Sequence, residues 1–170
     1  MVTIRLNTRD KIVIMLQYAL NTKVSGIADA EFVSAVKSYQ KTKKLTVDGI
    51  VGKNTYKALL DDFPNLEKGK NKKSNWNRAW QSFIGVKVDG IFGSNTKKAT
   101  QDWQKANGLT ADGIVEDITL AKAFGITVSV SAPSTSNGTS VVNKQPVNYK
   151  QYDSRWGNII YTMNNTYNKK

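Results

Sequence analysis

The sequence predicts an all-α protein with two small three-helix bundles in tandem, followed by a linker rich in Ser and Thr and an irregular or short-stranded tail. Three observations lead to this fold class. The chain overlays on itself when it is shifted by 64 residues, apolar residues recur at helical spacing, and one Asp-Gly loop is written three times. A duplication of this period is typical of repeated small units rather than of one large domain.

The duplication is clearest where residues 39–55 align with residues 103–119. Nine of these seventeen positions are identical, including the pairs Gln40 with Gln104 and Thr55 with Thr119. This identity is far above chance, so we infer that one unit was copied.

The predicted helices follow in order within each copy. A first helix is indicated by apolar residues at i, i+3, i+4, i+7 and i+8. These residues are Ile12, Met15, Leu16, Ala19 and Leu20 in the first copy, and Trp76, Ala79, Trp80, Phe83 and Ile84 in the second. The second helix is marked by Phe32, Val36 and Tyr39, and by Ala99 and Trp103. Short third helices are expected near residues 54–60 and 118–124.

The loops between these helices share one motif. It reads "VDGIVGKNT" at 47–55 (loop 2), "VDGIFGSNT" at 88–96 (loop 3) and "ADGIVEDIT" at 111–119 (loop 4). The matching stretch at 24–32 (loop 1), "VSGIADAEF", has diverged. Glycine permits the positive φ of a tight reversal, and the preceding Asp can accept hydrogen bonds from loop amides. We expect Gly52 and Gly93 to cap the next helix, whereas Glu116 departs from that pattern.

Composition excludes several classes of chemistry. The 170 residues include no Cys and no His, so disulfides, the usual zinc ligand sets and the Ser-His-Asp and Cys-His nucleophilic arrangements are all excluded. We therefore expect no catalytic residue, no cofactor and no metal. No stretch approaches the roughly 18 apolar residues of a membrane span, and the N-terminus lacks an apolar signal core.

The net charge of +12 is spread evenly along the chain. Nucleic-acid binders more often gather Lys and Arg on one face or segment, so no nucleic-acid partner is expected. An even excess suits weak attraction to a large polyanion, or solubility alone. A polyanion of this kind is a candidate partner, and we expect a monomer without membrane insertion.

The combined run "LQ…L…G…DGIFG..T..A...WQ...GL..DGIV...T" resembles the type-1 family of peptidoglycan-binding domains. The likeness covers roughly residues 8–61 and 72–125. It implies three-helix modules that attach to bacterial peptidoglycan without catalysis, through a shallow groove beside the Asp-Gly loops. Candidate ligand-binding residues, chosen for their amide, hydroxyl, carboxylate or aromatic chemistry at matched places, are Tyr39, Gln40, Asp48, Thr55, Trp103, Gln104, Asp112 and Thr119.

A structural role is the alternative for each of these residues. The carboxylates can hold the loops, the two aromatic rings can pack in the core, and the two glutamines can make contacts at the C-terminal ends of their helices.

The predicted domains are copy 1 at 1–66, a basic linker at 67–75, copy 2 at 76–126, a second linker at 127–145 and a tail at 146–170. The linker at 67–75 resembles a flexible joint. Because a module of about 55 residues has a marginal core alone, packing of the two copies against each other is the alternative.

Within the tail, "YKQYDSRWGN" resembles the opening of a papain-like cysteine peptidase domain of the bacteriocin-processing type. The tail contains neither the Cys nor the His of such an enzyme. The likeness therefore implies the targeting half of a peptidase or amidase, either a phage endolysin or a bacterial autolysin. Such a protein would be made in the cytoplasm, released at phage lysis, and act at the cell wall or outside the cell.

Three functional hypotheses follow. The first is a binding module that brings an attached hydrolase to peptidoglycan. The second is a muramidase in its own right, which would rely on paired carboxylates of different pKa. The third is a nucleic-acid or membrane-surface binder driven by charge, whose affinity would fall steeply with salt.

Overall fold

The computed structural model describes residues 1–70 and 73–126 and contains six α-helices in that part of the chain. They are α1 (Lys11–Ala19), α2 (Ala30–Thr42), α3 (Lys53–Asp62), α4 (Asn75–Ile84), α5 (Ser94–Ala106) and α6 (Asp117–Ala123). This arrangement confirms the all-α prediction of two three-helix units in tandem. The second linker and the peptidase-like tail lie outside the described residues.

The helices begin at capping residues of two kinds. Asp10, Asp29 and Ser74 accept hydrogen bonds through their side chains from amides of the first turns of α1, α2 and α4. Gly52 and Gly93 are the N-caps of α3 and α5, as the sequence predicted, and neither has a side chain to contribute. Glu116 occupies the same place before α6 without a side-chain capping bond.

The residues that follow the first two helices of each copy differ between the copies in one respect. The backbone turns into the left-handed region after α4 and α5 at Gly85 and Gly108, with φ of 76° and 71°. The matching positions in the first copy are Asn21 and Lys44, both with φ of 55°. The first copy therefore places side chains where the backbone favours glycine.

Each bundle buries its own apolar face. In the second copy, the fully buried Trp80 stacks on Phe83, with ring centroids 5.5 Å apart, and meets Trp103 edge-on at 5.4 Å. In the first copy, Leu16 is fully buried at the position that matches Trp80, and Phe32 is fully buried at the position that matches Thr96. Most of the apolar residues at helical spacing in the first helices thus lie in the core, whereas Ala19, Leu20, Trp76 and Ile84 are only half-buried.

The two copies pack against each other, because α1 contacts α4 and α3 contacts α6. Aromatic pairs join them: Phe63 lies 4.7 Å from Trp76, and Tyr56 lies 5.0 Å from Phe124, measured between ring centroids. Residues 1–126 consequently form one compact unit.

One isolated β-bridge holds loop 2 and another holds loop 4. Ile4 pairs with Val51, and Leu66 pairs with Val115, through reciprocal backbone hydrogen bonds of 2.9–3.2 Å. All four side chains are fully buried. Leu66 therefore anchors loop 4 of the second copy in the same way that Ile4 anchors loop 2 of the first. No helix in the described part of the chain is long and apolar enough to cross a membrane.

Candidate functional site

A buried glutamine lies in the last turn of each of the four helices that precede the loops. These residues are Gln17, Gln40, Gln81 and Gln104, and none is more than 1% exposed. An amide side chain buried this deeply must find hydrogen-bond partners, and each finds them in the loop that follows its own helix.

Loop 3 shows the arrangement in full. The Gln81 amide Nε2 donates to Asp89 Oδ1 at 2.8 Å, to the carbonyl oxygen of Ile91 at 3.0 Å and to Thr96 Oγ1 at 3.1 Å. In return, Gln81 Oε1 accepts from the amide of Gly90 at 2.8 Å. We call this set of contacts the glutamine clamp, since one side chain fixes both ends of the reversal.

Loops 2 and 4 repeat the clamp closely. Gln40 donates to Asp48, Ile50 and Thr55 at 2.8–3.1 Å, and Gln104 donates to Asp112, Ile114 and Thr119 at 2.9–3.2 Å. Each glutamine also accepts from the loop glycine at 2.9 Å. The structure therefore brings six of the eight predicted ligand-binding residues together, as two matched clusters of three.

Loop 1 keeps its clamp with different partners. Gln17 Nε2 donates to Ser25 Oγ and to the Ile27 carbonyl oxygen, both at 2.9 Å, and Gln17 Oε1 accepts from the amides of Ser25 and Gly26. Ser25 thus replaces the loop aspartate, while the threonine of the other loops is replaced by Phe32.

Sequence reasoning did not single out Gln17 and Gln81, although a signal for them existed. Every clamp glutamine stands nine residues before the glycine of its loop, in all four repeats. This shared spacing would have identified the complete set.

Two loop carboxylates, those of Asp48 and Asp89, are held in their charged form. Donation from the Ile50 amide and from Gln40 lowers the pKa of Asp48 below its ordinary value, and the Ile91 amide and Gln81 do the same for the pKa of Asp89. These two aspartates are therefore anionic at neutral pH, as the hydrogen bonds that they accept require.

Tyr39 and Trp103 make contacts of another kind. Tyr39 donates its hydroxyl hydrogen to Asp62 at 2.8 Å, and Lys43 forms an ion pair with the same carboxylate. Trp103 packs its ring against Trp80 and Phe83. The structure therefore places these two candidates in contacts between helices.

The outer edges of the loops face solvent, in contrast with the buried clamps. Ile91 is 53% exposed and Val47 is 49% exposed. An open groove lies beside loop 3, and its lining includes Val86, Lys87, Asp89, Ile91, Ser94 and Asn95. Its two apolar side chains and its amide, hydroxyl and charged groups can contact a ligand that carries both apolar and polar groups.

Loop 4 is the most acidic of the four. Burial and the nearby Asp112 and Asp117 raise the pKa of Glu116, and burial together with Asp61 raises the pKa of Asp117. Among residues 1–70 and 73–126, no group of three or more potential ligands is placed to hold a metal ion.

Comparison with known proteins adds a family to this geometry. A family described as "Putative peptidoglycan binding domain" matches residues 10–59 and 78–123, more than half of the chain. N-acetylmuramoyl-L-alanine amidase CwlM of Mycobacterium tuberculosis is 33% identical over 119 residues. That alignment covers 62% of this chain and 29% of the amidase, so the chain spans less than a third of that relative. No solved structure matches the chain significantly.

Proposed function

Since this chain belongs to the family of peptidoglycan-binding domains, we propose that it attaches to bacterial peptidoglycan without cleaving it and so holds an attached cell-wall hydrolase on its substrate. The observation that supports this proposal most strongly is the family match. The glutamine clamp fixes the backbone of each loop from beneath and leaves the outer edge of loop 3 as an open groove in which a ligand can lie.

The groove beside loop 3 has the chemistry that such a ligand needs. Peptidoglycan offers sugar hydroxyls, peptide amides and carboxylates. Ser94 and Asn95 can exchange hydrogen bonds with the first two, and Lys87 can pair with the third. Val86 and Ile91 supply an apolar wall against which a sugar ring or an alanine methyl group can pack.

The clustered residues contribute chiefly by shaping the surface. Gln40, Thr55, Gln104 and Thr119 are almost completely buried and use their polar atoms within the clamps. Asp48 is exposed, so within this proposal its carboxylate is the member of the loop 2 cluster that a ligand can reach.

The hydrolase is a further step of the proposal. The relative named as an amidase is much longer than this chain, which suits a chain that supplies attachment while another part of the parent protein supplies catalysis. We propose an amidase or a peptidase, in an endolysin or an autolysin that acts at the bacterial cell wall. The net charge of +12 would add weak attraction to anionic wall polymers.

Sedimentation with purified sacculi tests this function. The chain should appear in the pellet at low salt, and the supernatant should gain neither reducing sugars nor free amino groups. Protein that stays in solution would contradict attachment. Release of reducing sugars would instead support the carboxylate-dependent muramidase.

The same assay separates peptidoglycan binding from simple charge attraction. Binding to phosphates falls steeply with salt because it depends on counterion release. The chain should therefore remain on sacculi at a salt concentration that frees it from DNA. Equal release from both would indicate that charge alone holds it.

A further inference from the structure

The four loops share one backbone arrangement but differ in charge at two matched positions. These positions are the N-cap and the first residue of the helix that follows each loop. They are Gly93 and Ser94 in loop 3, Gly52 and Lys53 in loop 2, Glu116 and Asp117 in loop 4, and Asp29 and Ala30 in loop 1. Because the clamps fix the backbones alike, these side chains decide what each loop edge can accept.

The groove of loop 3 is electrically balanced. Its lining carries one cation, Lys87, and one anion, Asp89, and the Asp89 carboxylate already accepts from Gln81 and from the Ile91 amide. Lys87, Ser94 and Asn95 are exposed. A carboxylate that enters this groove therefore meets a lysine and neutral donors that are open to solvent.

The matched surface at loop 4 is acidic rather than balanced. Thr110 stands where loop 3 has Lys87, and Asp112, Glu116 and Asp117 stand within one motif. Glu116 and Asp117 are only partly exposed, and Asp61 on α3 adds further negative charge beside Asp117. An anionic ligand there would lose hydration and face like charges, which is costly.

We propose that the loop 3 groove binds a carboxylate-bearing peptide segment of peptidoglycan, and that Glu116 and Asp117 exclude this segment from the matched surface of loop 4. The inference rests on the proposed function and adds to it the loop that is used and the part of the polymer that is recognised. Loop 3 of the second copy then binds the peptide segment, whereas the matching loop 4 does not.

A reciprocal exchange of residues tests this inference on the full chain. Gly93→Glu/Ser94→Asp gives loop 3 the acidic pair of loop 4, and Glu116→Gly/Asp117→Ser gives loop 4 the neutral pair of loop 3. Both replacements should fold, since Gly93 has an ordinary extended backbone with open space around it, and Glu116 is an extended N-cap whose side chain makes no capping hydrogen bond. The amide NMR spectrum of each variant verifies this.

The probe is a soluble disaccharide-peptide with free carboxylates, titrated while amide resonances are recorded. In the unchanged chain, the resonances of loop 3 should shift and those of loop 4 should not. The acidic exchange in loop 3 should weaken binding about tenfold, because like charges within an interface are costly. The neutral exchange in loop 4 should make the loop 4 resonances respond.

Three results would overturn the inference: equal shifts at loops 3 and 4 in the unchanged chain, an unchanged affinity after the acidic exchange, or no response at loop 3. A probe with amidated carboxylates serves as the control, because it should lose its sensitivity to the acidic exchange. If the chain does not sediment with sacculi at all, the proposed function fails. Sedimentation without the predicted loop difference defeats only this inference.

Discussion

At the scale of single residues, the buried glutamines show how a short loop is held without a large core. Each clamp concentrates four hydrogen bonds on one amide side chain, so the backbone of the loop depends on that residue more than on local turn preference. An amide removed from this position leaves several buried groups without partners, which is more costly than the loss of one exposed bond.

Gln81→Leu should therefore lower the free energy of unfolding by about 3 kcal/mol, because the Gly90 amide and the Thr96 hydroxyl lose their partner. Urea unfolding measures this loss. Gln101→Leu is the matched control, since Gln101 is half-buried and donates only weakly to Ala111 at 3.4 Å. A similar loss in both variants would contradict the special role of the clamp.

Substitution of two glycines by alanine separates the cost of a strained backbone from the cost of a steric clash. Gly49 and Gly85 have nearly equal φ, 75° and 76°, but a Cβ at Gly49 would lie 2.8 Å from Val33 Cγ1, whereas one at Gly85 meets nothing within 4 Å. Gly85→Ala should cost about 1 kcal/mol from its backbone conformation alone. Gly49→Ala should cost roughly 1–3 kcal/mol more because the methyl group overpacks the loop. Equal losses in urea unfolding would show that the contact with Val33 is unimportant.

The pKa shifts of Asp89 and Glu116 predict that stability depends on pH in opposite directions at these two residues. The fold lowers the pKa of Asp89 from 3.8, so its contribution to stability is present above that pH and is lost as pH falls further. The fold raises the pKa of Glu116 from 4.5, so stability is lost as pH rises above that value and through the raised pKa.

Thermal unfolding across the acid range measures both effects. Asp89→Asn should weaken the loss of stability below pH 3.8, whereas Glu116→Gln should weaken the loss above pH 4.5. Profiles that change in the same direction would contradict these assignments.

At the scale of helices, the matched helices α2 and α5 are followed by different residues at the same left-handed position. Lys44 and Gly108 occupy matched left-handed positions after α2 and α5, with φ of 55° and 71°. Lys44→Gly should raise the free energy of unfolding by about 1 kcal/mol, and Gly108→Lys should lower it by a similar amount. The space around Gly108 is open, so no side-chain clash complicates the comparison. Stability changes of the same sign would contradict this explanation.

At the scale of the whole molecule, the two bundles behave as one packed body in the structure. Leu66 pairs with Val115 in loop 4 of the second copy, although it precedes the predicted basic linker. We propose that the second copy begins at about this residue rather than at 76, since Phe63 and Trp76 also pack together across the junction.

This packing predicts that a destabilising substitution in one copy also lowers the unfolding midpoint of the other copy. The Trp residues of the described chain, Trp76, Trp80 and Trp103, all lie in the second copy. Gly49→Ala, in the first copy, should therefore shift the urea midpoint measured by Trp fluorescence as far as the midpoint measured by far-ultraviolet circular dichroism. A fluorescence midpoint that stays in place would indicate two independent domains.

The sequence predicted the helices and the loops because their signals are local. Apolar spacing located the residues that face each core, such as Met15 and Trp80, and the loop motif located Gly52 and Gly93 as caps. The contact between Tyr56 and Phe124 could not be predicted in this way, because neither side chain carries a sign that its partner lies on the other copy. The role of Gln40 was likewise ambiguous, since a buried clamp and a ligand contact require the same amide.

We propose that exposed loop edges of this fold, rather than its overall charge, bind peptidoglycan. The most direct measurement compares binding isotherms on purified sacculi for Ile91→Asp and Leu6→Asp, which introduce the same charge at side chains that are 53% and 54% exposed. Ile91 lines the loop 3 groove, so Ile91→Asp should weaken binding about tenfold, whereas Leu6→Asp should leave it nearly unchanged. Equal affinities for the two variants would contradict the claim.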